Sequence, residues 1–438
     1  MTKTVARRWI TDWDPENEAF WRQSGARIAR RNLIYSVLAE HLGFSLWLLW
    51  SVVAVSLPAA GFQFTVDQLF WLVAVPNLVG SVMRIPYTMA VARFGGRNWT
   101  TVSAALLLIP IGLMAYCVST PGTPYEFFLV AAATAGLGGG NFASSMANIS
   151  YFYPEKHKGA ALGINAAGGN LGVAVAQFAV PAVIGTGAAL HLANAPLLWL
   201  VPVLAATACA WLFMDNLTVS RASVAEQTPA LRNRHTWIMS FLYIGTFGSF
   251  IGYSSALPLL IKSQFPEVSW AYWAAIGPLI GSLARPAGGW LADRAGGARV
   301  TLATFAVMGL GVAGVLGALA VHSFALFALS FALLFVTSGL GNGSTYRMIP
   351  AIFRAQTPTL AEARKQAATV IGLAAAIGAL GGFLIPRGFA ASISATGSLD
   401  TALWAFLAGY AICAGATWWF YLRTVWTARV PSLAHAGV

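Results

Sequence analysis

The chain has 438 residues, of which 58% are hydrophobic and only 9% are Asp, Glu, Lys or Arg. Soluble domains average about 25% charged residues, so this composition excludes a large soluble core and indicates a polytopic membrane protein. The formal net charge of +12 could indicate a nucleic-acid partner, but the basic residues follow the predicted membrane topology, so no nucleic acid is expected.

Apolar runs of about 20 residues, long enough to cross ~30 Å of hydrocarbon, occur twelve times along the chain. They lie near residues 32–57, 66–92, 98–119, 124–150, 158–185, 195–215, 235–261, 268–292, 300–321, 324–350, 365–389 and 400–422. This pattern predicts an all-α membrane protein with twelve transmembrane helices in two six-helix pseudo-symmetric halves. The predicted divisions are a cytoplasmic tail (1–31), an N-terminal six-helix bundle (32–216), a cytoplasmic linker (217–233), a C-terminal six-helix bundle (234–424) and a second cytoplasmic tail (425–438).

The basic residues predict the orientation of the chain. Residues 1–31 are polar and rich in Lys and Arg, so no cleavable signal peptide is expected. Most of the other basic residues fall in loops on the side of the termini, whereas the opposite loops hold only Lys262 and Arg387. By the positive-inside rule, both termini and the linker are predicted to be cytoplasmic, in a bacterial inner membrane whose anionic lipids add some attraction.

Catalytic and metal-binding patterns are missing from the sequence. The three cysteines, Cys117, Cys209 and Cys413, lie far apart in or beside apolar runs and have no metal-ligand spacing. No Ser/His/Asp set or phosphate-binding motif stands in a catalytic context, and the run 136–141 is embedded in an apolar span, so a dinucleotide site is rejected. We therefore expect neither an enzyme nor a bound cofactor or metal.

Two arginines lie inside strongly apolar runs, in surroundings that repeat between the halves. The repeat consists of Arg84, Pro86 and Gly95-Gly96 in the first half and of Arg285, Pro286 and Gly296-Gly297 in the second. A charged side chain in a bilayer is costly and is normally kept for a functional reason. Such a pair at equivalent points predicts an anion site on a pseudo-symmetry axis.

Glycine-rich segments repeat as well. Residues 136–142 correspond to 339–344, and residues 168–172 correspond to 378–382. The glycines indicate either close packing of helices or a narrow passage for a small solute, and the asparagines Asn141, Asn148 and Asn170 either bridge helices or contact that solute. Two parallel six-helix halves are typical of the major facilitator architecture, and residues 289–299 resemble the cytoplasmic loop motif of that superfamily.

More specifically, the chain resembles the nitrate/nitrite porters of the major facilitator superfamily, and within them the nitrate/proton symporters. The resemblance runs nearly end to end and rests on residues 11–16, 20–21, 84–87, 141–150, 165–172, 243–250, 285–286 and 372–382. It implies a functional monomer with nitrate and nitrite as substrates.

The resemblance also implies a binding site in which two arginines hold one planar anion between aromatic rings. Carried over by position, its residues are Arg84, Arg285, Asn170, Tyr243, Phe247, Phe44 and Phe142. Guanidinium is a planar, permanently charged fork that suits bidentate contact with an oxyanion. The alternative, a structural ion pair with a buried acid, is disfavoured because Glu40 is the one acid within an apolar run. Arg347, near the inner end of its span, is expected to serve packing or a cytoplasmic gate.

Glu40 and His41 are candidates for proton coupling. Both lie about two turns into the first predicted span, near Phe44. Nitrate is the anion of a strong acid and carries no proton, so co-transported protons need a site on the protein. The two residues favour nitrate/proton symport; they could also form a structural pair or bind a gate arginine. Nitrate/nitrite antiport stays an alternative, and a channel or a porter of another small anion is a weaker one.

Overall fold

The structure, a computed structural model, describes residues 4–5, 9–185, 190–220, 228–424, 432–434 and 438. Within these residues eleven helices are long and apolar enough to cross a membrane, and one more predicted span is the 26-residue helix Trp270–Ala295. In chain order, spans 1 to 12 are Glu18–Ser56, Val66–Phe94, Gly96–Ser119, Tyr125–Phe152, Glu155–Ile184, Asn194–Phe213, Arg234–Gln264, Trp270–Ala295, Gly297–Ala320, Phe324–Gln356, Glu362–Thr396 and Asp400–Leu422.

The predicted all-α membrane fold with twelve spans is confirmed. Span 8 is less apolar than the other eleven; it contains Arg285 and two prolines, Pro278 and Pro286. Several spans have local breaks: span 1 is interrupted at Leu48 and span 11 at Leu380, and span 7 contains a π-helical turn over Ile244–Gly248.

Chain contacts divide the protein into two compact units. Unit 1 comprises Met1–Phe64 and Val75–Glu226, and unit 2 comprises Thr65–Ala74 and Gln227–Val438. The boundary between Glu226 and Gln227 falls within the predicted linker 217–233. Residues 221–227 of this linker and most of the predicted tail 425–438 lie outside the described residues. The predicted domain boundaries therefore stay a prediction.

Span 1 begins at Glu18 and not near residue 32, where the apolar run starts. Asn17 caps this end, since its side chain accepts a hydrogen bond from the backbone N–H of Phe20 at 3.1 Å. The added helix is polar, which is why hydropathy missed it. Its aromatic residues Phe20 and Trp21 nevertheless pack against a buried hydrophobic cluster. This cluster contains Trp13 of the N-terminal segment together with residues of spans 1, 4 and 5, among them Phe152.

A small sheet, absent from the prediction, attaches the N-terminal segment to unit 1. Its strands are β1 (Thr4–Val5), β2 (Trp9–Ile10) and β3 (Asn216–Leu217), with β2 antiparallel to β1 and parallel to β3. Arg31 reinforces the connection through an ion pair of 2.5 Å with Asp215, the residue before β3. At the other end of the chain, the carbonyl of Val438 accepts a hydrogen bond of 3.5 Å from Ala298 in unit 2.

Glycines allow close approach between spans 5 and 1 and between the corresponding spans 11 and 7. In unit 1 a β-carbon at Gly169 of span 5 would overlap the carboxylate of Glu40 on span 1. In unit 2 a β-carbon at Gly378 of span 11 would overlap the ring of Tyr243 on span 7. At these positions the glycines serve helix packing, the first of the two interpretations left open by the sequence.

The packing role of Gly169 predicts a stability difference between two alanine variants of span 5. Gly169→Ala should lower the melting temperature in detergent, because the new methyl group overlaps the buried Glu40. The matched control is Gly163→Ala, where the added methyl meets no atom within 4 Å and where alanine is favoured over glycine by about 1 kcal/mol in a helix. Equal melting temperatures for the two variants would contradict this account.

Candidate functional site

Arg84 of span 2 is completely buried in unit 1, and its guanidinium lies against two aromatic rings. Its Cζ atom is 4.7 Å from the ring centroid of Phe142 and 5.3 Å from that of Trp47. Its Nε–H donates a hydrogen bond of 3.1 Å to the carbonyl of Gly139. Cation–π attraction grows when the cation is desolvated, so these contacts both stabilise the charge and orient the planar fork.

The aromatic rings around Arg84 depend on glycine. A β-carbon at Gly80 or at Gly139 would overlap the indole of Trp47. The indole N–H is in turn fixed by a hydrogen bond of 2.8 Å to the carbonyl of Pro76. Phe44 completes the cluster, with its ring centroid 5.2 Å from Trp47 and 6.0 Å from Phe142. The structure thus brings the predicted residues Arg84, Phe44 and Phe142 together.

Asn170 of span 5 is also buried, with 1% of its surface exposed. Its Oδ1 atom has no hydrogen-bond partner among the described residues. A buried polar atom left in this way costs free energy, so the amide is a candidate for contact with a solute. It follows Gly169 directly, and the close approach at that glycine holds this part of span 5 against span 1.

Arg285 of span 8 has a comparable setting in unit 2, with 6% of its surface exposed. Its Nη2 donates a hydrogen bond of 3.3 Å to the hydroxyl of Tyr243, and its Cζ lies 5.2 Å from the ring centroid of Tyr346. The Tyr243 hydroxyl donates to Oδ1 of Asn342. Tyr243 also stacks on Phe247, at 5.3 Å between centroids and 14° between ring planes. The predicted residues Arg285, Tyr243 and Phe247 therefore form one cluster.

The two arginine clusters share a framework and differ in the groups that hold the arginine. Gly80 lies against Trp47 as Gly281 lies against Phe250, and each glycine stands four residues before the arginine. The first arginine is then bound by a backbone carbonyl, that of Gly139. At the equivalent place in the repeat, span 10 carries an asparagine, Asn342, whose side chain binds the tyrosine that holds the second arginine. The second cluster is therefore held by side chains.

Glu40 is completely buried in unit 1 and lies in a polar cluster. Its Oε2 accepts hydrogen bonds of 2.5 Å from the hydroxyl of Ser145 and of 2.7 Å from the amide of Asn165. His41 faces span 5, where its Nδ1 is 3.0 Å from the carbonyl of Gly168. The two adjacent titratable residues thus have different partners, on spans 4 and 5 for Glu40 and on span 5 for His41.

Arg347 of span 10 forms an ion pair with Asp293 at the end of span 8. Both side chains are about half exposed, at 52% and 54%. Asp293 belongs to the segment 289–299 that resembles the superfamily loop motif, so Arg347 connects this motif to span 10 within unit 2. Its predicted role in packing or in a gate stays a prediction.

Sequence reasoning missed several side chains that shape these clusters. They are Trp47, Tyr346, Asn342, Ser145 and Asn165. Two signals were available in the sequence: Ser145 and Asn165 lie in the segments that carry the family resemblance, and Trp47 stands three residues after Phe44, on the same face of a helix.

Comparisons with known proteins agree with this architecture. Residues 42–386 match the family model described as Major Facilitator Superfamily. The chain is 45% identical to the nitrate/nitrite transporter NarU of Salmonella typhimurium, over 95% of this chain and 97% of that protein. It is 36% identical to the probable nitrate/nitrite antiporter NarK2 of Thermus thermophilus, over 97% and 98% of the two chains.

A solved structure supports the fold independently of sequence. The crystal structure of a D-xylose-proton symporter superposes with a TM-score of 0.70 at 14% identity, covering 92% of this chain and 98% of that one. At this identity the likeness concerns the fold alone. Together with the family match, it confirms the predicted major facilitator fold.

Proposed function

The chain belongs to the nitrate/nitrite porter family of the major facilitator superfamily, and from this membership we propose that it moves nitrate, and nitrite, across a bacterial inner membrane by alternating access. The relatives reported above are named as transporters and antiporters and not as enzymes. The observation that carries the proposal is that Arg84 and Arg285, at equivalent points of the repeat, are each buried within a span against aromatic rings.

Nitrate suits these residues by charge and by shape. We propose that Arg84 and Arg285 both bind the anion, because a guanidinium offers parallel N–H groups to two oxygens of a planar oxyanion. Phe44, Phe142, Tyr243 and Phe247 form flat apolar surfaces that exclude water, and Asn170 contributes its amide. A narrow aromatic slot of the kind proposed would favour a small planar anion over a larger organic one.

The membrane arrangement proposed with this function follows the charge distribution. Both termini and the linker lie in the cytoplasm, because the Lys and Arg residues concentrate on that side of the spans. The protein acts as a monomer in the lipid bilayer, with both units supplied by one chain.

Proton symport is the coupling mode that we propose, with Glu40 and His41 as the titratable groups. Glu40 is fully buried on span 1, the span that also supplies Phe44 and Trp47 to the arginine cluster. The second candidate is nitrate/nitrite antiport, which the name of the Thermus relative favours.

Uptake by proteoliposomes tests the function and separates the two modes. Labelled nitrate would be measured in vesicles without internal nitrate or nitrite, with and without an inward-acid pH gradient. Accumulation driven by the gradient would establish symport. Flux that requires nitrite or nitrate inside would establish exchange, and the absence of flux in both conditions would contradict nitrate transport.

Arginine-to-lysine substitutions test the anion site. Arg84→Lys and Arg285→Lys keep the charge but lose the bidentate fork, so we expect nitrate affinity to fall by about 10- to 100-fold, as for the loss of a charged hydrogen bond. The controls are Arg93→Lys and Arg294→Lys, exposed arginines near the ends of the same two spans. Melting temperatures without nitrate would show whether the variants are folded. Unchanged affinity in folded Arg84→Lys and Arg285→Lys would exclude these side chains from binding.

Glu40→Gln tests the coupling. Glutamine keeps a hydrogen-bond acceptor for Ser145 or Asn165 but cannot take up a proton at neutral pH, so we expect pH-driven accumulation to be lost while nitrate exchange is retained. Glu126→Gln, at the exposed start of span 4, is the matched control. Undiminished coupling in Glu40→Gln would remove Glu40 from the mechanism.

Asn342→Ala tests the side-chain relay in unit 2. The variant removes the acceptor of the Tyr243 hydroxyl, so Arg285 loses an oriented partner, and we expect nitrate affinity to fall by about 3- to 10-fold, as for one net hydrogen bond. If Asn342 acts through Tyr243, adding Asn342→Ala to Tyr243→Phe should have little further effect. Fully additive losses in affinity would show that the two residues act separately.

A further inference from the structure

A small cavity lies beside Glu40 in unit 1, where spans 1, 3 and 4 meet. Its lining residues are Ser36, Ala39, Glu40, Thr100, Ser103, Asn141, Ser144 and Ser145. All but Ala39 are polar, and the volume is just sufficient for a single water molecule. None of the roles proposed above uses this cavity.

The hydroxyl protons on two sides of the cavity are already committed. Ser103 donates to the carbonyl of Thr100 at 3.3 Å, and Ser144 donates to the carbonyl of Asn141 at 3.1 Å. A serine hydroxyl has one proton and two lone pairs. Both oxygens can therefore only accept hydrogen bonds from an occupant of the cavity.

The hydroxyl protons of the two serines next to Glu40, Ser36 and Ser145, are also committed to hydrogen bonds outside the cavity. Ser145 donates its proton to Oε2 of Glu40 at 2.5 Å. The 3.0 Å contact between Ser36 and Ser145 then requires Ser36 to be the donor. Both hydroxyl protons point along a chain that ends on the carboxylate, and neither is available to the cavity.

Asn141 provides an acceptor that lacks a partner. It is 3% exposed, and its amide Nδ2 donates to the carbonyl of Ala39 at 3.4 Å. Its Oδ1 has no hydrogen-bond partner within the described part of the chain. A buried acceptor left unsatisfied costs about 1–3 kcal/mol, and a donor in the adjoining cavity would remove this cost.

Four serine hydroxyls and the Asn141 oxygen of this lining can thus offer the cavity only acceptors, so an occupant that donates hydrogen bonds suits it. We propose that one water molecule occupies it, donates hydrogen bonds to Glu40 and to Asn141, and serves as the route by which a proton reaches Glu40. This inference rests on the proton coupling proposed above. An acceptor-lined cavity also stabilises an added proton on the water: the hydronium passes this proton to the carboxylate, leaving a neutral water and a carboxylic acid, and no other bond changes.

The charged and titratable groups near the cavity fit this route. Of the eight lining residues, Glu40 is the one that titrates. His41 is directed to the carbonyl of Gly168 on span 5. Arg84 on span 2 lies against Phe142, the residue after Asn141. The water is thus adjacent to one titratable group, and transfer through a single water is within the reach of a proton-accepting side chain.

The test compares two β-branched substitutions on span 3. Ser103→Val places methyl groups in the cavity and displaces the water, so we expect pH-driven nitrate accumulation to fall by about tenfold or more, as for loss of a positioned proton transfer, and to fall more than nitrate exchange. The control is Thr101→Val on the same span, whose hydroxyl bonds to the carbonyl of Arg97 and does not line the cavity. Coupling of Ser103→Val at the wild-type level, or an equal loss of accumulation and exchange, would overturn the inference.

A high-resolution experimental structure separates this inference from the proposed function. We expect ordered water density within hydrogen-bond distance of Asn141 Oδ1 and the Glu40 carboxylate in the wild type, and none in Ser103→Val. A dry cavity in a wild-type protein that accumulates nitrate with the pH gradient would overturn the water route and leave the proposed function intact. An occupied cavity in a wild type that only exchanges nitrate and nitrite would contradict the symport and, with it, the role of this water.

Discussion

The free-energy cost of a charged group inside a membrane span is the constraint on which the rest of this structure depends. In each unit one of the repeated arginines, Arg84 or Arg285, is buried against aromatic rings. Arg84 is held by two rings and a backbone carbonyl, and Arg285 by a tyrosine ring and a tyrosine hydroxyl. These contacts hold each guanidinium in place and orient its planar fork.

Glycine makes this arrangement sterically possible. The rings of Trp47 and Phe250 occupy space that a β-carbon at Gly80 or Gly281 would fill. The same principle places Gly169 against Glu40, so that the carboxylate is buried beside the serine and asparagine groups that donate to it. Glycine in a helix costs about 1 kcal/mol relative to alanine, and here the close approach of helices is what offsets this cost.

The sequence predicts the spans, the repeated arginines and most aromatic members of their clusters, because hydropathy and spacing record them directly. It fails where the information is tertiary. The helical segment from Glu18 is too polar for a hydropathy criterion, and the strand pairing of Trp9 with Asn216 joins residues far apart in the chain. Asn342 could not be assigned either, since the repeat has glycine at the equivalent position of span 4, and the choice of partner for the Tyr243 hydroxyl depends on how spans 7, 8 and 10 meet.

The pairing of Trp9–Ile10 with Asn216–Leu217 has a practical consequence for spectroscopy. This strand pairing connects the N-terminal segment to the rest of unit 1. The hydrogen bond from Ala298 to the carbonyl of Val438 connects the C-terminal residue to unit 2. Two fluorophores, one near each end of the chain, would therefore report on the two different units. Energy transfer between two such labels could follow the transport cycle in real time, with every membrane span left unmodified.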